Sequence, residues 1–232
     1  VVAHAFFKSL LFLGTGSVLH ATGERNLGKL GGLMRSMPWV AWLCLIGILA
    51  SSGLPPLSGF VSEWLLLQSF LFTTGLPDPF FNMLVPVVAA AVALIAALAG
   101  YVMVKFFGVI FLGQSREKRL VEAHDASLLE RIGLFWLAAV TVLIGIFPVY
   151  LIDAIDQVTQ ALVGYGLAVT VRANGWLVLA PISIERASYS PLIFLGIVGL
   201  GVVLAIVMVR LFYHGRIRRA APWDCGFPAQ TA

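Results

Sequence analysis

Charge is scarce in this chain of 232 residues: Asp, Glu, Lys and Arg make up 11% of it, against about 25% in an ordinary soluble domain. Cysteine is scarcer still. Cys44 falls in an apolar run and Cys225 in a polar one, and no Cys-x-x-Cys spacing occurs. That argues against an iron–sulfur cluster, a zinc site or a disulfide framework. No cofactor is therefore expected on this chain, and any redox centre of a larger assembly belongs to other chains. Equally absent are a Gly-rich phosphate loop, a Gly-x-Ser-x-Gly elbow and a His-Glu-x-x-His helix, so an ATP-driven pump or a membrane hydrolase has no residues to support it. The net charge of +4 does not suggest nucleic acid, because the bases are confined to particular loops.

What is abundant is apolar. Hydrophobic residues make up 60% of the chain and the mean hydropathy is +0.97. These values place the protein in a lipid bilayer as an all-α, multi-pass bundle, with the cell inner (plasma) membrane as the expected location. The chain starts without methionine inside an apolar run, so it is expected to be part of a longer protein.

Requiring about 20 residues per crossing gives five apolar segments, at approximately 1–20, 39–74, 83–113, 131–152 and 191–213. Loops 21–38 (Arg25, Lys29, Arg35) and 114–130 (Arg116, Lys118, Arg119) are basic, as is the tail (Arg216, Arg218, Arg219). Loop 75–82 has only Asp78; loop 153–190 sets Arg172 and Arg186 against Asp153, Asp156 and Glu185. Basic and base-poor loops alternate, which makes the basic ones cytoplasmic. Val1 then starts on the outer side, and 153–190 reads as an outer loop or interfacial segment. Trp39, Trp42, Trp136 and Trp223 fit interfacial anchors. Ala93-x-x-x-Ala97, Ala96-x-x-x-Gly100 and Gly201-x-x-x-Ala205 fit close helix packing.

The second segment carries the most information. As one helix it would be about 54 Å long, against a hydrocarbon core of about 30 Å, and it contains Gly53-Leu54-Pro55-Pro56. Proline deletes a backbone donor and disfavours helix in the residue before it. At membrane depth such a break survives only where protein or water re-satisfies the freed carbonyls. Past it comes Glu63, among Phe60, Val61, Trp64, Leu65 and Leu66. An acid there costs roughly 2.5–3.5 kcal/mol on insertion scales unless paired, protonated or wetted. A broken helix with an acid beside it points to an ion path, with Ser58 and Ser62 available to hold water.

Other titratable residues are sparse. His4 and Lys8, four apart, share one face of the first span. Histidine titrates near neutrality, and desolvated lysines do so as well, so the pair suits a water-bridged relay. The plainer alternative has His4 packing and Lys8 snorkelling to an interface. Lys105, in the third span, divides between the same two roles. His20 fits a polar cap at the inner interface, and His124 and His214 fit solvated loops.

The run His4-Ala5-Phe6-Phe7-Lys8-Ser9-Leu10-Leu11-Phe12-Leu13-Gly14-Thr15-Gly16-Ser17-Val18 resembles the proton-translocating subunits shared by respiratory complex I and Mrp antiporters. Leu27-Gly28-Lys29-Leu30-Gly31-Gly32-Leu33, Met37-Pro38 and Gly53-Leu54-Pro55-Pro56-Leu57-Ser58-Gly59-Phe60 continue the match in order, over about 1–115. Within the family, Gly23-Glu24-Arg25-Asn26-Leu27-Gly28 and Trp223-Asp224-Cys225-Gly226 are most similar to hydrogenase-4 component B and formate hydrogenlyase membrane subunits.

The resemblance implies an antiporter-like helical fold, of which this chain would be the C-terminal part. Residues 1–152 would form its proton-translocation domain, with 153–190 outside and 191–232 the last span and cytoplasmic tail. Lys8 would match the family's basic relay residue, His4 its neighbour, and Glu63 the terminal ionisable residue. The expected function is proton translocation coupled to electron transfer in partner subunits, of nickel-iron hydrogenase or quinone oxidoreductase type, beside other antiporter-like membrane subunits. A Mrp-type sodium/proton antiporter subunit and a non-conducting scaffold are the alternatives.

Overall fold

A computed structural model describes residues 1–71, 76–117, 120, 122–166, 171, 175–181 and 188–213. Lys118, Arg119, Arg172, Glu185, Arg186, His214, Trp223, Cys225 and the tail arginines lie outside the described residues. Among the described residues, seven α-helices follow one another: α1 Val2–Thr22, α2 Pro38–Ser51, α3 Ser58–Leu71, α4 Pro79–Phe111, α5 Leu128–Ile146, α6 Pro148–Val163 and α7 Pro191–Tyr213. Among the described residues, extended pairing is limited to one antiparallel bridge between Leu179 and Tyr189.

α1, α4, α5 and α7 are each long and apolar enough to cross a membrane. α2 and α3, with 14 residues each, reach only about 21 Å apiece, short of the roughly 30 Å core. They are two halves of one interrupted crossing, as the proline pair predicts.

α2 lies at the centre, against α1, α4 and α5. It buries Val40, Ala41, Leu43, Cys44, Gly47, Ile48 and Ala50, and a helix apolar on every side suits that interior place. α1 buries Ala3, Phe7, Leu10, Gly14 and Val18, a spacing of three or four residues that keeps one stripe facing inward. Leu134 and Ala138 of α5 complete this core. α4 and α7 are exposed along most of their length, where lipid tails are as apolar as their own side chains. The tryptophans at 39, 42 and 136 are likewise exposed.

The two basic loops meet at one end of the bundle. Backbone N–H groups of Gly32 and Met34 donate to Leu112 O and Phe111 O at 2.9 and 3.0 Å. Arg116 Nη1 donates to Gly28 O at 2.9 Å. Asp125 accepts the Trp39 N–H at 2.9 Å and the Val40 N–H at 3.4 Å, capping the start of α2, where backbone donors are otherwise unpaired. Arg131 stands 4.0 Å from the same carboxylate. The Glu130 side chain accepts the Ser127 N–H at 2.9 Å and closes the start of α5.

The fourth segment differs from its sequence reading. Expected as one span over 131–152, it ends at Ile146 and restarts at Pro148 as α6. Proline at the first position of a helix needs no donor, so the chain can turn there and begin again. The boundary drawn at 152 falls inside α6, and the first part of the expected loop 153–190 is helical. α6 lays Val149 and Ile152 against Val61, Trp64 and Leu65 of α3.

Candidate functional site

The break is built from the chemistry of four residues. Leu54 N–H and Gly53 N–H still donate to Leu49 O and Ala50 O, both at 3.1 Å. Pro55 and Pro56 have no N–H, so the Ser51 and Ser52 carbonyls lose their helical donors. The peptide bond between the prolines is cis. Gly53 turns the chain at φ +63°, a conformation that costs other L-residues roughly 1–2 kcal/mol. The break is held from two sides. Phe7 and Ala3 of α1 pack on Ala50 and Leu57, and Gly145 of α5 lies so close that a methyl there would strike Pro56 O and Leu57.

Glu63 folds back onto this turn. Helical side chains lean toward the N-terminus of their helix, and the Glu63 carboxylate lies where a Cβ on Gly53 would stand. It is half-buried. Among the described residues, no donor or cation pairs with it. The expected serine support divides. Ser62 Oγ donates to Gly59 O at 2.9 Å, so its hydroxyl is spent on its own helix. Ser58 Oγ is buried and has no partner among the described residues.

Lys8 is half-buried and lines a cleft of about 210 Å³ between α1 and α4, with Leu11, Phe12, Thr15, Met103 and Phe106. A second cleft, of about 340 Å³, shares Phe12 and Thr15 and runs on to Glu24 and Arg25. The two form a groove along α1 from the basic-loop end to the lysine. His4 is exposed one turn away, its ring edge-on to Phe7 at 5.1 Å. Lys105 is exposed on α4, between the cleft residues Met103 and Phe106 but not in the lining. Lys8 and Glu63 are not brought together: among the described residues no hydrogen bond or ion pair joins them. His20 faces His124 with ring centroids 6.3 Å apart at the basic-loop end.

Sequence reasoning missed Gln68 and Tyr189. Gln68 Oε1 and Tyr189 Oη are buried without partners among the described residues, and burial pushes the Tyr189 phenol up to about 12, so it stays protonated. A lone Gln in an apolar run was a visible signal; a Tyr more than a hundred residues away was not. Among the described residues, no three or more His, Cys, Asp or Glu side chains gather as a metal site requires.

The family resemblance is borne out. Residues 1–76 match the family described as NADH:quinone oxidoreductase/Mrp antiporter, transmembrane. The chain is similar to formate hydrogenlyase subunit 3 of Escherichia coli, 39% identical over 66% of the chain and 25% of that protein. It is also similar to hydrogenase-4 component B of the same organism, 35% identical over 68% of the chain and 24% of that protein. The chain therefore spans about a quarter of the length of these relatives. Its fold is that of a chain in the membrane-bound sulfane sulfur reductase, an archaeal respiratory membrane complex. The TM-score is 0.71 at 23% identity, over 98% of this chain and 34% of that one.

Proposed function

We propose that this chain, whose residues 1–76 match the transmembrane family of NADH:quinone oxidoreductases and Mrp antiporters, is the proton-translocating part of a membrane subunit. That subunit belongs to an energy-converting hydrogenase or complex I-like oxidoreductase in the cell inner membrane. Electron transfer takes place in partner subunits, of nickel-iron hydrogenase or quinone oxidoreductase type, and this chain holds no redox cofactor itself. The similarity to formate hydrogenlyase and hydrogenase-4 subunits supports that assembly.

The observation that carries the reading is Glu63: a half-buried carboxylate, without a partner among the described residues, folded onto a helix break that frees two carbonyls. A structural acid would be paired. A proton carrier must be able to gain and lose its proton, and an unpaired carboxyl beside polar backbone where water can lodge does that. Protons reach Lys8 along the groove beside α1, with His4 and Lys105 flanking, and leave by way of Glu63. Lys8 and Glu63 do not touch, so the transfer between them runs through water.

The experiment is Glu63→Gln in the full subunit, assembled with its complex in sealed vesicles. Glutamine keeps shape and hydrogen bonding without a titratable proton. Proton uptake during electron transfer falls at least tenfold while native gels show normal assembly, and Glu63→Asp keeps part of it. Unchanged uptake makes the chain a scaffold. The same carboxylate and freed carbonyls are hard oxygen ligands suited to Na⁺ as well as H⁺. Sodium-dependent transport without any electron donor therefore identifies the antiporter reading instead.

A further inference from the structure

Where loops 21–38 and 114–130 meet, two glycine turns lie backbone to backbone. Gly32 and Gly113 adopt φ +69° and +78°, left-handed values that glycine takes without strain. A Cβ on Gly32 would stand 2.8 Å from Ser115 N, and one on Gly31 2.5 Å from Gln114 O. Beside these turns lies a cleft of about 250 Å³, lined by Gly32, Arg35, Ser36, Gly113, Ser115 and Leu120. It sits between the end of α4 at Phe111 and the start of α2 at Pro38.

Among the described residues, the charge in this cleft is unbalanced. No acid is among its lining residues, and no carboxylate pairs with the Arg35 guanidinium. Neighbouring bases are engaged: Lys29 with Glu24 and Glu117 at 3.9 Å, and Arg116 with Gly28 O at 2.9 Å. Ser36 Oγ reaches Leu33 O only at 3.5 Å, at the limit of a hydrogen bond, so it is free to turn to a better acceptor. A guanidinium presents its N–H donors in a fork that matches two oxygens of one phosphate. The ligand that suits such a cleft is an anion with several oxygens on one centre.

Its place in the bundle selects which anion. Trp39 and Trp42, in the first two turns of α2, are 52% and 59% exposed, as suits tryptophans at the headgroup level. α4, whose end borders the cleft, is exposed along most of its length. Basic loops mark the cytoplasmic side, where the leaflet is anionic and basic pockets between spans bind lipid headgroups. We propose that this cleft binds the phosphate of an anionic phospholipid, held by the Arg35 guanidinium and the Ser36 hydroxyl. The bound phosphate bridges the two basic loops and ties the start of α2 to the end of α4. This site stands apart from the proton route and uses none of its residues.

The test titrates phosphatidylglycerol into the full subunit in its complex, in neutral detergent, and counts bound lipid by native mass spectrometry. In Arg35→Gln the apparent affinity for one phosphatidylglycerol falls about tenfold, the worth of a bidentate charge-assisted contact. Arg35→Lys keeps the charge without the fork and falls between. Arg25→Gln removes the same charge outside the cleft and leaves that affinity at the parental value. Phosphatidylcholine, whose ammonium offsets its phosphate beside a guanidinium, shows no such difference. Ser36→Ala loses one donor, weakens binding by about two- to fivefold, and serves if Arg35→Gln fails to assemble. Parental affinity in both Arg35→Gln and Ser36→Ala overturns the site. An equal loss in Arg25→Gln overturns it too, since net charge alone then explains the binding. Inorganic phosphate at millimolar concentration leaves the lipid in place. If it displaces that lipid, the cleft is a site for soluble phosphate and the lipid assignment falls.

Discussion

Two regions of the bundle treat polar groups in opposite ways. At the basic-loop end, Asp125 is shared between the backbone N–H groups of Trp39, Val40 and Ala126 and the Arg131 side chain, and Lys29 stands 3.9 Å from both Glu24 and Glu117. At the break, Glu63 and Ser58 have no such partners among the described residues, and neither do Gln68 Oε1, farther along α3, or Tyr189 Oη. The first arrangement fixes a shape, with capping contributing about 1 kcal/mol and exposed ion pairs less. The second leaves polar atoms where water and protons are needed. A paired carboxylate is held in one charge state; an unpaired one can change it.

Substitutions at four positions sharpen that contrast, beginning with the strongest. Lys8→Met abolishes coupled proton uptake in vesicles, because the groove along α1 then ends on an apolar side chain. Lys8→Arg fails as well, since arginine keeps its proton at any relevant pH; normal pumping by the Arg variant makes Lys8 an electrostatic fixture. Next comes Gly53→Ala, which meets both a left-handed backbone and the Glu63 carboxylate. Uptake falls several-fold, and thermal unfolding in detergent shows a loss of about 1–2 kcal/mol.

Asp125→Ala acts on the paired end. It removes the cap of α2 and costs about 1–2 kcal/mol, read as a lower melting temperature, while uptake per assembled complex stays within about twofold of the parent. A larger loss of transport would mean that the basic-loop end belongs to the proton route. The smallest effect is that of Lys105→Met, which lowers uptake by no more than about twofold because the side chain is exposed beside the cleft.

Much of this was legible in sequence, and for identifiable reasons. The break is written in Pro55 and Pro56, because a missing N–H is a local fact that no tertiary context repairs. The acid beside it was legible because charge is costly in an apolar span. The turn at Pro148 was not read, since one proline inside a continuous apolar stretch permits a kinked helix as well as a restart. Ser62 was read as support for Glu63, yet its hydroxyl bonds its own helix, a choice between two nearby acceptors that composition cannot make.

Sequence alone determined the medium, the interrupted crossing and the short roster of titratable groups, because each follows from residue chemistry within one or two helical turns. Tertiary structure decided which of those groups have partners. Asp125 reaches Trp39 across 86 positions, and Tyr189 reaches Phe60 from still farther along the chain. Pairing is a matter of a few ångströms between distant segments, and only the packed bundle sets such distances.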